Sequence, residues 1–214
     1  MPTGGTTSGI KLAIHTWKTL EAACNGVQEF LGGAAIDSCC VLPLYHVSGL
    51  MQLLRSYHSG GYIRFDEDEV EGRCLSYVPT QLRRALLDKK RTQALCTARV
   101  IFVGGASMAE SLAEEVRKLK LPVMPVYGMT ETAAMVAAIP VADFLTDSRV
   151  GALPIGETKI EIGSSGRISI QSPSLFKGYH GGEPLDLARG YLSGDAGYIL
   201  SLIHISEPTR QFRI

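Results

Sequence analysis

Residues 126–132, Val-Tyr-Gly-Met-Thr-Glu-Thr, set a hydroxyl, a carboxylate and a second hydroxyl in succession between apolar segments 121–126 and 133–138. Adjacent Thr130 and Glu131 can hydrogen-bond a phosphate oxygen and hold a hard cation that bridges phosphates. The structural alternative is a cap, with Thr130 starting a helix near Ala133. A second stretch, Thr3-Gly4-Gly5-Thr6-Thr7-Ser8-Gly9-Ile10-Lys11, offers free backbone N–H groups for an anion nest, with hydroxyls and Lys11 adding donors and charge. A flexible N-terminal tail is its bland reading. It is not the nucleoside-triphosphatase P-loop: Gly4 and Gly9 have that spacing, but Ile10 stands in the Lys place. A third stretch, 43–50, carries His46 at a strand-to-helix switch, where open α/β sheets bind ligands. A lone His is more often structural, so His46 needs support from elsewhere.

Strands and helices alternate in a way that can position these residues. The pattern predicts a strand over 11–15 and a helix capped by Thr16, with Leu20, Ala23, Val27 and Phe30 on one face and Gly32-Gly33 closing it. Further strands are expected at 38–42, 62–65, 74–78, 98–103 and 121–126. Thr80 is expected to cap a helix through Leu87, and a later helix is expected to turn Leu112, Val116 and Leu119 inward. Alternation through glycine turns argues for an α/β fold with a parallel, doubly wound sheet and helices on it. After Pro140 the texture becomes short alternating strands, read as a partial antiparallel β-barrel. The expected organisation is an α/β nucleotide- and acyl-binding subdomain over 1–140, a β-barrel-like subdomain over 141–199, and a tail over 200–214.

Composition narrows the function classes. Of 214 residues, 45% are hydrophobic and 20% charged, which suits a globular chain. Lys+Arg and Asp+Glu both number 21, so the charge balance gives no support to a nucleic-acid partner or an anionic membrane surface. No apolar run is long enough to insert in a bilayer. Cys24, Cys39, Cys40, Cys74 and Cys96 have no paired or metal-ligand spacing and read as buried free thiols of a reducing, cytoplasmic compartment. The acidic run 66–69 with Glu71 reads as a solvated loop rather than a metal site.

Taken in order, these segments resemble the acyl-adenylate-forming enzymes: acyl- and aryl-CoA ligases, luciferases and peptide-synthetase adenylation domains. Residues 3–11 are similar to their phosphate loop, and Tyr127-Gly128-Met129-Thr130-Glu131 matches their Y-G-x-T-E. Gly151 to Gly156, then Gly166-Arg167-Ile168 through Ser172-Pro173 and Lys177-Gly178-Tyr179, resemble later signatures. Residues 190–197 resemble the segment that ends in an aspartate, here Asp195. Ser8 and Ile10 replace the usual Gly and Pro, Arg167 the usual Glu, and 190–195 is one residue short. Within the family, 42–50 and 76–82 look most like the ligases that activate o-succinylbenzoate for menaquinone and phylloquinone synthesis; another acyl- or aryl-CoA ligase, or a non-catalytic binding fragment, are the alternatives.

The resemblance implies part of that family's large N-terminal domain and a two-step reaction. A carboxylate attacks the α-phosphate of ATP to give acyl-AMP, and coenzyme A then displaces AMP. It implies that Thr3, Gly4, Gly5, Thr6, Thr7, Ser8, Gly9 and Lys11 cradle the phosphates, with Thr6, Thr7 and Lys11 on the β- and γ-phosphates. Thr130 contacts the α-phosphate, Glu131 supports Mg²⁺, and Asp195 accepts the ribose hydroxyls. Gly104, Gly105 and Ala106 line the adenine and acyl pocket, with Tyr127, Gly128 and Met129 beside the base. On the acyl side it places His46, Ser48, Gly49, Gly105 and Thr132. A dicarboxylate also wants a cation, for which His15, Arg55 and Lys11 are candidates. The family normally has a segment before the phosphate loop and a Lys-bearing domain after the aspartate, so the chain reads as an internal fragment expected to make little acyl-CoA alone. From Leu200 onward it resembles a translated sequencing adapter, although apolar residues 200–205 have the propensity to extend as a strand.

Overall fold

The computed structural model describes residues 1–3, 10–146, 151–186, 188–197, 199–201 and 204–205. Gly4 to Gly9 of the expected phosphate loop, and most of the expected tail, lie outside the described residues. The loop's flanks are β1 (Pro2–Thr3) and β2 (Lys11–Leu12), paired antiparallel. The chain then enters α1 (Trp17–Phe30), whose first turn is closed reciprocally by Thr16 and Thr19, as the sequence anticipates for Thr16. Gly32 and Gly33, at φ 88° and 81°, let the chain leave that helix in a left-handed conformation that a side chain would disfavour.

Next come β3 (Ser38–Cys39), α2 (Val47–Ser59), β4 (Ile63–Arg64) and β5 (Cys74–Tyr77). The helix α3 (Pro79–Leu86) is capped by Val78 rather than by Thr80. Pro79 takes the first helical position, where its missing N–H costs nothing, and Gln81 accepts the Val78 N–H at 3.0 Å. The chain continues through α4 (Lys89–Leu95), β6 (Val100–Val103) and α5 (Glu110–Leu119). Leu112 and Val116 of α5 are buried, but Leu119 is 38% exposed. The backbone turns left-handed at Lys120 (φ 53°), and Leu121 enters the core in its place.

β7 (Val123–Met129) follows, and here the helix-cap alternative fails. A 3₁₀ turn, Thr130–Thr132, leads into β8 (Ala134–Ala138), a strand and not a helix. Alanines favour helix, but β7 offers an unpaired strand edge whose buried backbone groups need partners, and β8 supplies them antiparallel. After α6 (Val141–Thr146), β9 (Leu153–Pro154) pairs with β8 and completes a seven-stranded sheet of order β4-β3-β5-β6-β7-β8-β9. The pairs from β4 through β7 are parallel, and β8 and β9 are antiparallel. Both faces are covered, which is why β6 reads as an unbroken apolar run. Leu75, Ile101 and Val103 share a core with Leu82, Leu95, Leu112 and Val116. On the other face Phe102, Met124 and Met135 pack with Val27.

β10 (Lys159–Ile162), β11 (Arg167–Gln171) and β12 (Tyr191–Ala196) form a three-stranded antiparallel sheet that does not close into a barrel among the described residues. Ile168 and Ile170, both 0% exposed, put its inner side into the same core as Ile101 and Tyr127. The backbone of β13 (Ile199–Ser201) pairs with β14 (His204–Ile205), so part of 200–205 extends as strand. Among the described residues no helix is long and apolar enough to cross a membrane. Cys24, Cys39, Cys40 and Cys74 are free and buried; Cys96 is exposed, contrary to expectation, because it follows the last turn of α4 on the outside of the sheet. The acidic run is matched by arginines: Arg64 meets Asp66 and Glu69, and Arg91 meets Glu67.

Candidate nucleotide and acyl site

The 3₁₀ turn is held from several directions. Gly128 lies at a bulge where a Cβ would come 1.8 Å from the Ala134 carbonyl oxygen, so only glycine lets β7 and β8 approach. Thr132 is fully buried; its hydroxyl accepts the Met129 N–H at 3.0 Å and donates to the Ala134 carbonyl at 2.6 Å. Thr132 therefore closes the turn on its own backbone. Glu131 is 5% exposed, and its Oε1 accepts hydroxyl protons from Tyr179 (2.7 Å) and Thr3 (3.2 Å). These bonds offset the burial of the carboxylate and leave Oε2 without a partner among the described residues. Burial, followed by the bond to Glu131, pushes the Tyr179 hydroxyl well above its usual pKa, so it stays a donor. Lys11 lies with Nζ 5.2 Å from the Tyr179 ring centre, which brings the exit of the expected phosphate loop beside Glu131.

Tyr127 and Asp195 join the two sheets. The Tyr127 hydroxyl donates to Asp195 Oδ2 at 3.1 Å, with Ser193 Oγ 3.3 Å away. The Asp195 N–H bonds to Ser193 Oγ, and the Arg167 guanidinium donates to the Ser193 carbonyl at 2.9 and 3.2 Å. Arg167, a departure from the family pattern, thus braces the aspartate's strand. Tyr127 is buried in the core, with its hydroxyl bonded to Asp195.

The remaining expected residues cluster at the carboxyl ends of the parallel strands, where such sheets bind ligands. Gly104 follows β6; a Cβ there would lie 2.9 Å from the Val126 carbonyl oxygen. Gly105 is left-handed at φ 80°, and it and Ala106 are exposed. His46 caps α2, is exposed, makes no side-chain capping bond and sits 5.4 Å from the Tyr45 ring. Gly49 packs under the 42–43 backbone, where a Cβ would meet the Pro43 oxygen at 2.2 Å. Ser48 is half-buried beside it, and its carbonyl accepts from Gln52.

Among the three candidate cations, Arg55 has the unusual environment. It is 3% exposed, its Nε donates to the Met51 carbonyl at 2.9 Å, one terminal nitrogen lies 3.6 Å from Met135 Sδ, and the guanidinium sits 5.3 Å from the Phe102 ring centre. No carboxylate pairs with it among the described residues. A buried charge with one carbonyl and a thioether is poorly compensated, and its desolvation lowers the pKa. Two polar atoms nearby in the fold are also unmatched: Gln52 Oε1, one helical turn before Arg55, and Ser76 Oγ, whose residue pairs with Phe102 across β5 and β6. The sequence reading missed Ser76 and Gln52; the available signal was a hydroxyl inside an otherwise buried strand. His15 is not a cation here. Its Nε2 lies 2.8 Å from the Thr130 carbonyl, and burial, partly opposed by that bond, lowers its pKa below 6.5.

Glu131 suits Mg²⁺: a hard carboxylate with one oxygen anchored and the other unengaged. Among the described residues no group of three or more His, Cys, Asp or Glu is placed to hold a metal.

The AMP-binding enzyme family matches residues 1–180. The 2-succinylbenzoate–CoA ligase of Lactococcus lactis subsp. lactis (strain IL1403) is 31% identical over 216 residues, covering 93% of this chain and 47% of its own length. The same-named ligase of Enterococcus faecalis (strain ATCC 700802 / V583) is 30% identical, covering 93% and 46%. Among solved structures, O-succinylbenzoate coenzyme A synthetase from Bacillus subtilis in complex with ATP and magnesium ion superposes with a TM-score of 0.83 at 26% identity, covering 96% of this chain and 48% of that one. The same enzyme with the acyl-adenylate intermediate gives 0.82 at 25% identity, covering 96% and 47%. The chain spans about half the length of the curated relatives it matches.

Proposed function

The chain belongs to the AMP-binding enzyme family, and from that premise we propose that it is the nucleotide- and acyl-binding part of an AMP-forming acid–CoA ligase acting on o-succinylbenzoate. The observation that carries the substrate assignment is Arg55, a buried guanidinium with no carboxylate beside it among the described residues. An aromatic dicarboxylate would supply the missing anion, with the unmatched Ser76 hydroxyl to donate a hydrogen bond to it and His46, Ser48, Gly49 and Gly105 toward the acyl entrance. The names of the relatives support the same choice.

In the first step the substrate's other carboxylate attacks the α-phosphate of ATP; the P–O bond to pyrophosphate breaks and acyl-AMP forms. Mg²⁺, held by Glu131, would offset charge on the phosphates. Thr130 offers its hydroxyl to the α-phosphate, and Lys11 with the 3–9 stretch neutralises the outgoing pyrophosphate. Asp195, oriented by Tyr127, accepts from the ribose hydroxyls, and the 104–106 turn borders adenine. The catalysis asked of these groups is orientation and charge stabilisation, with no protein nucleophile. In the second step the thiolate of coenzyme A displaces AMP. We place the protein in the cytoplasm, a reading the free buried cysteines support.

The test is ATP–pyrophosphate exchange by the full-length protein against o-succinylbenzoate, benzoate, other aryl acids and fatty acids. Exchange should be strongest with o-succinylbenzoate. Equal or greater exchange with another acid would move the assignment to a different acyl- or aryl-CoA ligase.

A further inference from the structure

His15 stands outside every motif matched above, yet it touches the centre of the site. It lies between β2 and α1, four residues after Lys11. Its Nε2 is 2.8 Å from the Thr130 carbonyl and its Nδ1 is 3.0 Å from Thr19 Oγ1. A carbonyl oxygen can only accept, so Nε2 carries the ring proton; in the neutral ring Nδ1 can only accept, and the single Thr19 hydroxyl proton is shared between Nδ1 and the Thr16 carbonyl at 2.9 Å. Thr19 is 1% exposed and locked into the first turn of α1 through Thr16, so the ring is aimed by a rigid element.

The other end of the contact is the 3₁₀ turn that bears Thr130 and Glu131. Thr3, at the end of β1 and the start of the expected phosphate loop, donates to Glu131. His15, just after that loop, donates to Thr130. Thr3 and His15, on either side of the β1–β2 connection, therefore bond neighbouring residues of one turn, which ties β1 and the end of β2 to the turn's hydroxyl and carboxylate.

We propose that His15 is a positioning residue for adenylation: its Nε2–H holds the Thr130 carbonyl so that the Thr130 hydroxyl and Glu131 carboxylate stay in register with Lys11. The proposal rests on the adenylate-forming reading above. Displacing such groups by a fraction of an ångström to 1 Å costs about ten- to a hundred-fold in rate.

The test compares His15→Ala, His15→Gln and His15→Asn in the full-length protein. A Gln amide can reach the Nε2 position and donate to Thr130, whereas the shorter Asn amide reaches only toward Thr19. The readouts are kcat and KM for ATP–pyrophosphate exchange, ATP affinity by calorimetry, and melting temperature. The expected result is a ten- to hundred-fold fall in kcat for Ala and Asn with KM for the carboxylate unmoved, and recovery to within about three-fold by Gln. Wild-type rates in His15→Ala would overturn the proposal, as would losses in all three variants that track their melting temperatures. If the wild type itself binds no ATP and exchanges pyrophosphate with no acid, the adenylating reading falls, and this proposal with it.

Discussion

At the residue scale, buried Arg55 and half-buried His15 behave in opposite ways. Arg55 keeps its charge at a cost in solvation that its partners do not repay. Replacing it by the similarly long, apolar Met should leave stability unchanged or raise it by ~1–4 kcal/mol in urea denaturation. The same change should cut kcat/KM for o-succinylbenzoate by about a hundred-fold or more, while a benzoate lacking the second carboxylate is little affected. Loss of stability together with an equal loss on both acids would show that Arg55 is structural. His15 instead sheds its charge. Its folded pKa is depressed from 6.5 by burial, so below about pH 6.5 the unfolded chain binds a proton that the native ring resists, and stability is lost as pH falls through that window. The melting temperature of the wild type should drop more steeply from pH 7.5 to 5.5 than that of His15→Gln; parallel curves would refute the assignment of a neutral ring.

At the element scale, the β7–β8 hairpin carries the site. Its turn spends three unusual positions to do so: Ala133 and Ala134 are non-glycine residues at φ 52° and 78°, and Gly128 has the Ala134 oxygen where a Cβ would be. Backbone strain of this kind persists where surrounding bonds over-determine it, and here Thr132, Phe176 and His15 all bond the turn. Gly128→Ala should destabilise by ~3 kcal/mol or more, because the clash is with backbone that cannot swing away. Ala134→Gly, by contrast, should be neutral or stabilising by up to ~1 kcal/mol, since it relieves the left-handed cost. Thermal denaturation of the pair separates clash from strain; a well-tolerated Gly128→Ala would mean that the bulge is looser than this geometry.

At the scale of the whole molecule, the two sheets share one core. Ile168 and Ile170 of β11 pack with Leu75, Ile101, Tyr127 and Val136 of the large sheet, and the Tyr127–Asp195 bond spans the same junction. Folding of the small sheet and assembly of the proposed nucleotide site are therefore expected to be one event. Ile170→Ala should cost ~2–5 kcal/mol and lower a single transition seen alike by tryptophan fluorescence and far-ultraviolet circular dichroism. Separate transitions by the two probes would show that the small sheet melts by itself.

The sequence by itself determined the alternating architecture and nominated the candidate residues of the site. Runs such as Val100–Val103, rich in β-branched residues and closed by paired glycines, favour strands buried on both faces, and the order of hydroxyl, carboxylate and glycine segments names most of the candidate residues the fold brings together. It could not decide the fate of residues 133–138, because alanine propensity is weak beside a vacant strand edge that exists only once β7 is in its sheet. Nor could it separate Arg55 from His15 and Lys11 as the candidate cation. Charge is a property of the side chain, but the absence of a carboxylate beside Arg55 among the described residues, and the carbonyl that fixes the proton on His15, are properties of tertiary neighbours. Local periodicity tells which way a residue faces; only the packed structure tells what it meets there.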